Sequence, residues 1–370
     1  MNVITIIMAA FSVLGAVDLI VGNKLGLGKE FEKGLKMFGT LALSMIGMIV
    51  LAPMIAHFLS PMLKNETFLK IVEPSVLVSS LFANDMGGAS LALEFAATPE
   101  LGYYNGLVVG SMMGATVSFT LPFVMQTVKQ EQHKSMMLGL MCGICAIPVG
   151  CFFSGLIAKI RLLTLLWNLL PLFVFSAILA VGLLKFPKAS VKIFRVFGKI
   201  IQIVVIIGLT IGILEYLLQE DFVPYTAPIQ TGVEIVFNVA AIMTGAFPLV
   251  YTLSKLLDKP LKKLGGKVGV NEASALGFLS TLASSVTTFE NMKDMDEKGV
   301  MLNSAFAVSA AFTIADHLAF TMSFHNSYVL CVTVGKLISG FVALGIAALI
   351  LYRQSKKNKT ALPPAPVLEE

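Results

Sequence analysis

Apolar residues fill long runs along this chain, and the polar positions that interrupt them fall mostly at the ends of the runs. Eleven apolar segments can be marked, at roughly 2 to 22, 35 to 59, 71 to 97, 103 to 128, 135 to 158, 162 to 184, 193 to 218, 232 to 254, 271 to 291, 299 to 322 and 327 to 352. Most have about the 20 residues that an α-helix needs to cross a bilayer. The pattern predicts an all-α polytopic membrane protein whose surroundings are the lipid bilayer. One segment departs from it at its centre, where Phe82-Ala83-Asn84-Asp85-Met86-Gly87-Gly88-Ala89 puts an amide, an acid and two glycines at membrane depth. The acid is costly there, and the glycine pair invites a break in the helix. Irregular backbone is tolerated at that depth only where protein buries it or where it lines a cavity. Asp85 and Asn84 are therefore candidate substrate-binding residues, and Gly87 and Gly88 candidate structural ones. The competing reading is a plain spanning helix with Asp85 paired internally.

The placement of Lys and Arg decides how many segments cross. If all eleven do, the two faces carry 12 and 14 of these residues, and the usual cytoplasmic excess disappears. If segments 71 to 97 and 271 to 291 instead enter and leave on one side as re-entrant hairpins, one face carries 22 and the other only Lys64, Lys70, Lys159 and Arg161. The expectation is thus about nine transmembrane helices plus two re-entrant hairpins. The N-terminus is expected outside, with Met1 to Val21 a retained span rather than a signal peptide, and the C-terminus cytoplasmic.

A weak internal repeat agrees. Gly106, Ser111, Phe119 and Thr120 recur at equal spacing as Gly299, Ser304, Phe312 and Thr313, and each window follows a segment with a polar centre. The expected organisation is a first repeat over 1–161 containing hairpin 71–97, a linking helix over 162–184, a second repeat over 185–352 containing hairpin 271–291, and a tail over 353–370. With hairpins counted, the repeats have opposite orientation, the architecture of secondary transporters.

Composition narrows the function class. Of 370 residues, 56% are hydrophobic and 13% charged, with mean hydropathy +0.85. A soluble domain carries about a quarter charged residues. Cys142 and Cys145 form an isolated CxxC within an apolar run, and the four histidines fit no metalloenzyme spacing. No phosphate loop or nucleophile elbow is present. The expectation is no enzyme, metal, cofactor or nucleic-acid partner.

Asp85 and Asp316 are the most interior acids, and Asp316 has an ion pair or hydrogen bond with His317 or Lys336 as its structural alternative. Lys336, about ten residues into the last segment, is too deep to reach water easily, so it either neutralises an acid or occupies the place of a coupling cation. Ser284, Ser285 and Asn303 in the second half, with Ser111 in the first, complete the polar candidates for binding substrate. Gly106, Gly110 and Gly114 form overlapping GxxxG steps suited to close packing, to a sliding hairpin or to the interface of a homo-oligomer. Phe82, Phe119, Tyr103 and Tyr104 are nearest in sequence for an aromatic cage around a cation.

The stretches Glu32 to Pro53, Asn84-DMGGASLALE, Gly110-SMMGATVSFTLP, Val268-GVNEASALGFLSTLA, Ala305-FAVSAAFTIADHLAF and Val334-GKLISG together resemble the ethanolamine utilization protein EutH family of bacterial permeases. The likeness runs from about Glu32 to Leu351. It implies an importer of ethanolamine in the bacterial cytoplasmic membrane; the site residues above come from charge and position instead. Two mechanisms stay open. One is a carrier alternating between inverted repeats with its site at their interface, and the other a passive channel or facilitator for a small amine. A membrane receptor or assembly subunit without transport is a third class.

Overall fold

In this computed structural model the described residues are 3–63 and 72–360, and they contain helices and no strand. Lys64, Lys70, the first residue of segment 71 to 97 and the tail from 361 lie outside them. Eight helical stretches among the described residues are long and apolar enough to cross a membrane. In chain order the elements are α1 (Val3–Ile20), α2 (Leu27–Leu63), α3 (Pro74–Leu81), α4 (Ala89–Phe95), α5 (Pro99–Thr127), α6 (His133–Ile157), α7 (Leu162–Lys185), α8 (Pro187–Leu218), α9 (Ile229–Val268), α10 (Glu272–Ala283), α11 (Ser285–Glu290), α12 (Glu297–Ala310), α13 (Asp316–His325) and α14 (Val329–Thr360).

The burial pattern is that of a protein solvated by hydrocarbon. On α7, Leu165, Asn168, Leu169, Leu172, Ser176, Leu179 and Leu183 face inward at helical spacing. Leu163, Leu166, Trp167, Leu170, Phe173 and Val174 stand exposed on the opposite side, a face that needs lipid. The innermost helix is α5, and Leu107, Val108, Met112, Met113 and Val117 on it are all buried in the main core. Its winding loosens to π over Asn105–Gly114 and again over Thr116–Thr120.

Both segments with polar centres fold back on themselves. The Glu73 carboxylate accepts hydrogen bonds from the Ala97 amide at 3.0 Å and the Ser75 hydroxyl at 2.9 Å, so the two ends of the first segment meet. A continuous helix over that interval would hold its ends about 36 Å apart. The turn is made by extended backbone at Phe82 and Ala83 and by Gly87, which has φ of 85°. A side chain at Gly87 would also strike Met48 of α2. The second segment closes in the same way, with the Asn271 amide side chain donating to the Asp294 carbonyl at 2.8 Å and Thr281 and Thr288 bonded across the tip at 2.9 Å.

The glycines at 106, 110 and 114 are the bed of the first folded segment. A Cβ on them would lie 2.8 Å from Ala89 Cα, 3.2 Å from Asn84 Cα and 2.0 Å from the Phe82 carbonyl oxygen, respectively. A reciprocal amide pair, Asn105 with Asn168 at 2.7 and 2.9 Å, ties α5 to α7, and Asn105 also donates to Ser75 at 2.8 Å.

One expectation needs correcting. Segment 299 to 322, read as a single crossing helix, is two helices, α12 and α13, separated by an unwound stretch at 311–315 in which Phe312 has φ of 60°. The amides of Phe312 and Ile314 donate to the carbonyls of Thr281 (3.1 Å) and Leu282 (3.0 Å) at the tip of the second folded segment. Backbone bonds to a neighbouring element thus replace those the helix gave up. No glycine or proline marks this break.

Candidate functional site

Two interruptions in helical backbone meet inside the protein. The break after α3 presents Asn84 and Asp85, and the break before α13 presents Asp316 and His317, with α13 packed against the Asn84–Gly88 turn. The carboxyl groups of Asp85 and Asp316 are near enough to interact directly. Lys336, fully buried on α14, reaches across to donate to the Ser111 carbonyl at 2.6 Å and to His317 Nδ1 at 3.0 Å. Because an ammonium has only donors, His317 Nδ1 is the accepting nitrogen, and the ring proton sits on Nε2. That Nε2 faces Asp85 Oδ1 at 3.9 Å, too far for a direct hydrogen bond. Phe312 lies beside the imidazole, with ring centroids 5.1 Å apart, and Phe119 stands 6.0 Å beyond it.

The cluster carries unused hydrogen-bonding capacity. Asp85 Oδ1, Asp316 Oδ1 and both polar atoms of the Asn84 side chain are buried without a partner. Others occur at Ser79, Gln132, Ser285, Asn303 and Thr333, but buried polar atoms in native structures are nearly always satisfied, so four on three neighbouring residues mark a place where a polar ligand fits. Two carboxyl groups meet there beside a single lysine, so the cluster has one acid more than it has built-in amines. Such a site can hold a small monocation with a hydrogen-bonding tail.

The structure separates the remaining candidates. Ser111 joins the cluster through its carbonyl, while its hydroxyl donates to Val108 at 3.0 Å. Asn303 locks the base of the second folded segment by donating to the carbonyls of Ser274 and Gly299 at 2.9 and 3.0 Å. Ser284 and Ser285 mark the tip of that segment, and among the described residues no hydrogen bond or ion pair joins them to Asp85 or Asp316. Gly87 and Gly88 are structural, since a Cβ at Gly88 would lie 2.5 Å from the carbonyl oxygens of both Phe82 and Ala83. Lys336 was expected to neutralise an acid; its ammonium bonds instead to the Ser111 carbonyl and His317, and among the described residues no acid lies within ion-pair distance of it. Of the proposed cage aromatics, Phe119 alone is linked to the cluster, through Phe312. Tyr104 donates to the Cys151 carbonyl at 2.6 Å, Tyr103 packs on His325 with centroids 4.1 Å apart, and Phe82 meets Phe197 at 6.1 Å. Phe312 was named in the sequence only as a repeat position, not as a neighbour of the site, and the Asn105–Asn168 pair was not singled out. A lone amide in the apolar run around 168 was the signal available for the pair.

An all-helical chain with many membrane-length spans, whose broken helices bring buried acids, an imidazole and an ammonium together, has the architecture of a membrane transport protein. Comparison with known proteins gives the family. The profile described as "Ethanolamine utilisation protein, EutH" matches residues 1–350, and the chain belongs to that family. It is 42% identical to the probable ethanolamine permease EutH of Listeria monocytogenes over 97% of this chain and 96% of that protein. It is 33% identical to the probable ethanolamine permease EutH of Salmonella typhimurium over 95% of each chain, and 34% identical to the uncharacterized protein YxeR of Bacillus subtilis over 97% of each. No solved structure matches.

Proposed function

We propose that this chain is an ethanolamine permease of the bacterial cytoplasmic membrane, and that its substrate ammonium binds between Asp85 and Asp316. The observation that carries this reading is the pair of buried, unpartnered carboxylate oxygens at the meeting of two helix breaks. At neutral pH ethanolamine is mostly a primary ammonium bearing a hydroxyl. The ammonium takes the carboxylates through charge-assisted hydrogen bonds, and Asn84 offers both donor and acceptor to the hydroxyl. Phe312 and Phe119 give the methylenes an apolar flank.

Transport proceeds by alternating access between two inverted repeats, 1–161 and 185–352, joined by the linking helix 162–184. Three contacts bear on that pseudo-symmetry. Thr116 of α5 donates to the Val308 carbonyl of α12 at 3.2 Å, and the repeat spacing makes Ala115 the counterpart of Val308 and Ser309 that of Thr116. Adjacent repeat positions of the two halves therefore meet, as they would near a two-fold axis in the membrane plane, although the Ser309 hydroxyl bonds to Ser339 and not to Ala115. Ser118, which accepts from Ala83 at 3.2 Å, and Phe312, which donates to Thr281, set each folded segment against neighbouring though not identical repeat positions of the next helix, Ser118 corresponding to Ala311. In this reading the folded segments are re-entrant hairpins, the first entered from outside and the second from the cytoplasm, which makes nine crossings with the α12/α13 pair counted as one.

Counterflow of labelled ethanolamine in proteoliposomes tests the function. A carrier gives saturable uptake that excess unlabelled ethanolamine on the far side accelerates; unsaturable flux without counterflow would replace the carrier with a channel, and no flux would end the reading. The hairpin geometry makes a separate prediction. In a chain whose native cysteines are silent, cysteine at position 100 should react with an impermeant thiol reagent added outside, and cysteine at 294 only after permeabilisation. External labelling at 294 would restore a spanning segment in the second half.

A further inference from the structure

The site holds a cation of its own. Lys336 is buried completely, and no acid lies within ion-pair distance of its ammonium among the described residues. It is held instead by a backbone carbonyl and an imidazole nitrogen. The carbonyl is free for a specific reason. In an α-helix the Ala115 amide would bond to Ser111, but π winding redirects it to the carbonyls of Gly110 and Met112, which leaves Ser111 to the lysine. Carbonyls released by irregular helices are what transporters use to hold coupling ions. An imidazole nitrogen, however, suits a hydrogen-bond donor and makes a poor ligand for a hard metal cation such as sodium, which takes oxygen. At the corresponding position of the first half stands Gly143, packed against the Val308 side chain and the Ala305 carbonyl, so the arrangement occurs in one half only.

We propose that the Lys336 ammonium is a covalently held occupant of the place a coupling cation would take, so that transport by this protein uses no co-transported metal cation. The substrate ammonium then meets carboxylates whose second counter-charge is fixed and never dissociates. This inference rests on the transport reading, and its test has one arm that does not.

Uptake is measured in proteoliposomes with sodium, potassium or N-methylglucamine chloride in turn. Rates should agree within about twofold; stimulation of about fivefold or more by either metal cation, the scale of a real coupling free energy, overturns the proposal. Thermal unfolding of the purified protein is followed in the same salts. The parent midpoint should not differ between them, whereas Lys336→Ala should unfold at lower temperature and be shifted back up by millimolar methylammonium but not by N-methylglucamine. A parent stabilised by sodium, or a Lys336→Ala chain indifferent to methylammonium, counts against it. If Lys336→Ala does not fold, Lys336→Met is read for uptake: loss in every salt agrees with a required ammonium, and full uptake refutes it. Absence of ethanolamine flux from the parent would remove the transport reading and leave the unfolding arm to decide this one.

Discussion

Asp85→Asn should reach the membrane in normal amount and bind ethanolamine more weakly by on the order of thirty- to several-thousand-fold. The substitution keeps the shape of the side chain and removes its charge. Taking one partner from a buried charge pair commonly costs about 2 to 5 kcal/mol, and the affinity loss is that free energy converted. Folding should survive because Asp85 makes no hydrogen bond with its buried Oδ1, and the nearest ion-pair partner, His317, stands 3.9 Å away. Asp316→Asn should behave the same way. From the sequence alone part of its effect was expected to come from folding, through a pair with Lys336 or His317. Lys336 bonds to His317 instead, so the Asp316 phenotype should be chiefly one of binding. Binding is read by equilibrium titration of the purified protein. Affinity within about twofold of the parent for Asp85→Asn would make the carboxylate structural and move the search to Ser284, Ser285 and Asn303.

The largest effect on stability should come from Gly114→Val. A Cβ at Gly114 would sit 2.0 Å from the Phe82 carbonyl oxygen and 2.6 Å from that of Ser79, both backbone atoms of the first hairpin. Backbone cannot swing aside as a flexible side chain does, so either α5 or the whole hairpin must move. Overpacking of well-filled cores costs about 1 to 3 kcal/mol, and a collision with backbone belongs at or above the top of that range. The variant should unfold at a markedly lower temperature and lose ethanolamine binding with it, because the displaced hairpin carries Asp85. Gly39→Ala is the control: nothing lies within 4 Å of a Cβ there, and exchanging a helical glycine for alanine should leave stability unchanged or raise it by about 0.5 to 1 kcal/mol. Equal midpoints for Gly114→Val and the parent would mean that the hairpin does not rest on α5 as described.

What the sequence revealed and what it hid divide along physical lines. Asp85 and the glycines beside it were legible because charge and helix breakers at membrane depth are expensive, and only a special backbone explains them. Lys336, Asp316 and His317 were legible for the same reason, although their pairing was not. Which acid or imidazole a buried ammonium meets depends on how helices far apart in sequence are packed, and no local pattern encodes that. The break at 311–315 was hidden because nothing local causes it. Its residues, Ala311-Phe312-Thr313-Ile314-Ala315, read as ordinary helix, and the unwound form persists because Thr281 and Leu282 accept the amides that the helix released. The π winding of α5, over the stretch where the hairpin packs on Gly106 and Gly110, was invisible likewise, since no residue pattern there announces it. Those glycines, Gly106, Gly110 and Gly114, admitted three readings in the sequence, and their contacts with Ala89, Asn84 and Phe82 put them under the hairpin and not at an interface between protomers.

The central claim is that the ammonium of ethanolamine lies between the carboxylates of two broken helices. An experimental structure of the purified protein in saturating ethanolamine tests it most directly. The account predicts ligand density at the Asn84–Gly88 turn, with the ammonium nitrogen about 2.7 to 2.9 Å from oxygens of both Asp85 and Asp316 and Lys336 still bonded to Ser111 and His317. Ethanolamine bound elsewhere in the protein, with Asp85 and Asp316 facing no ligand, would contradict it.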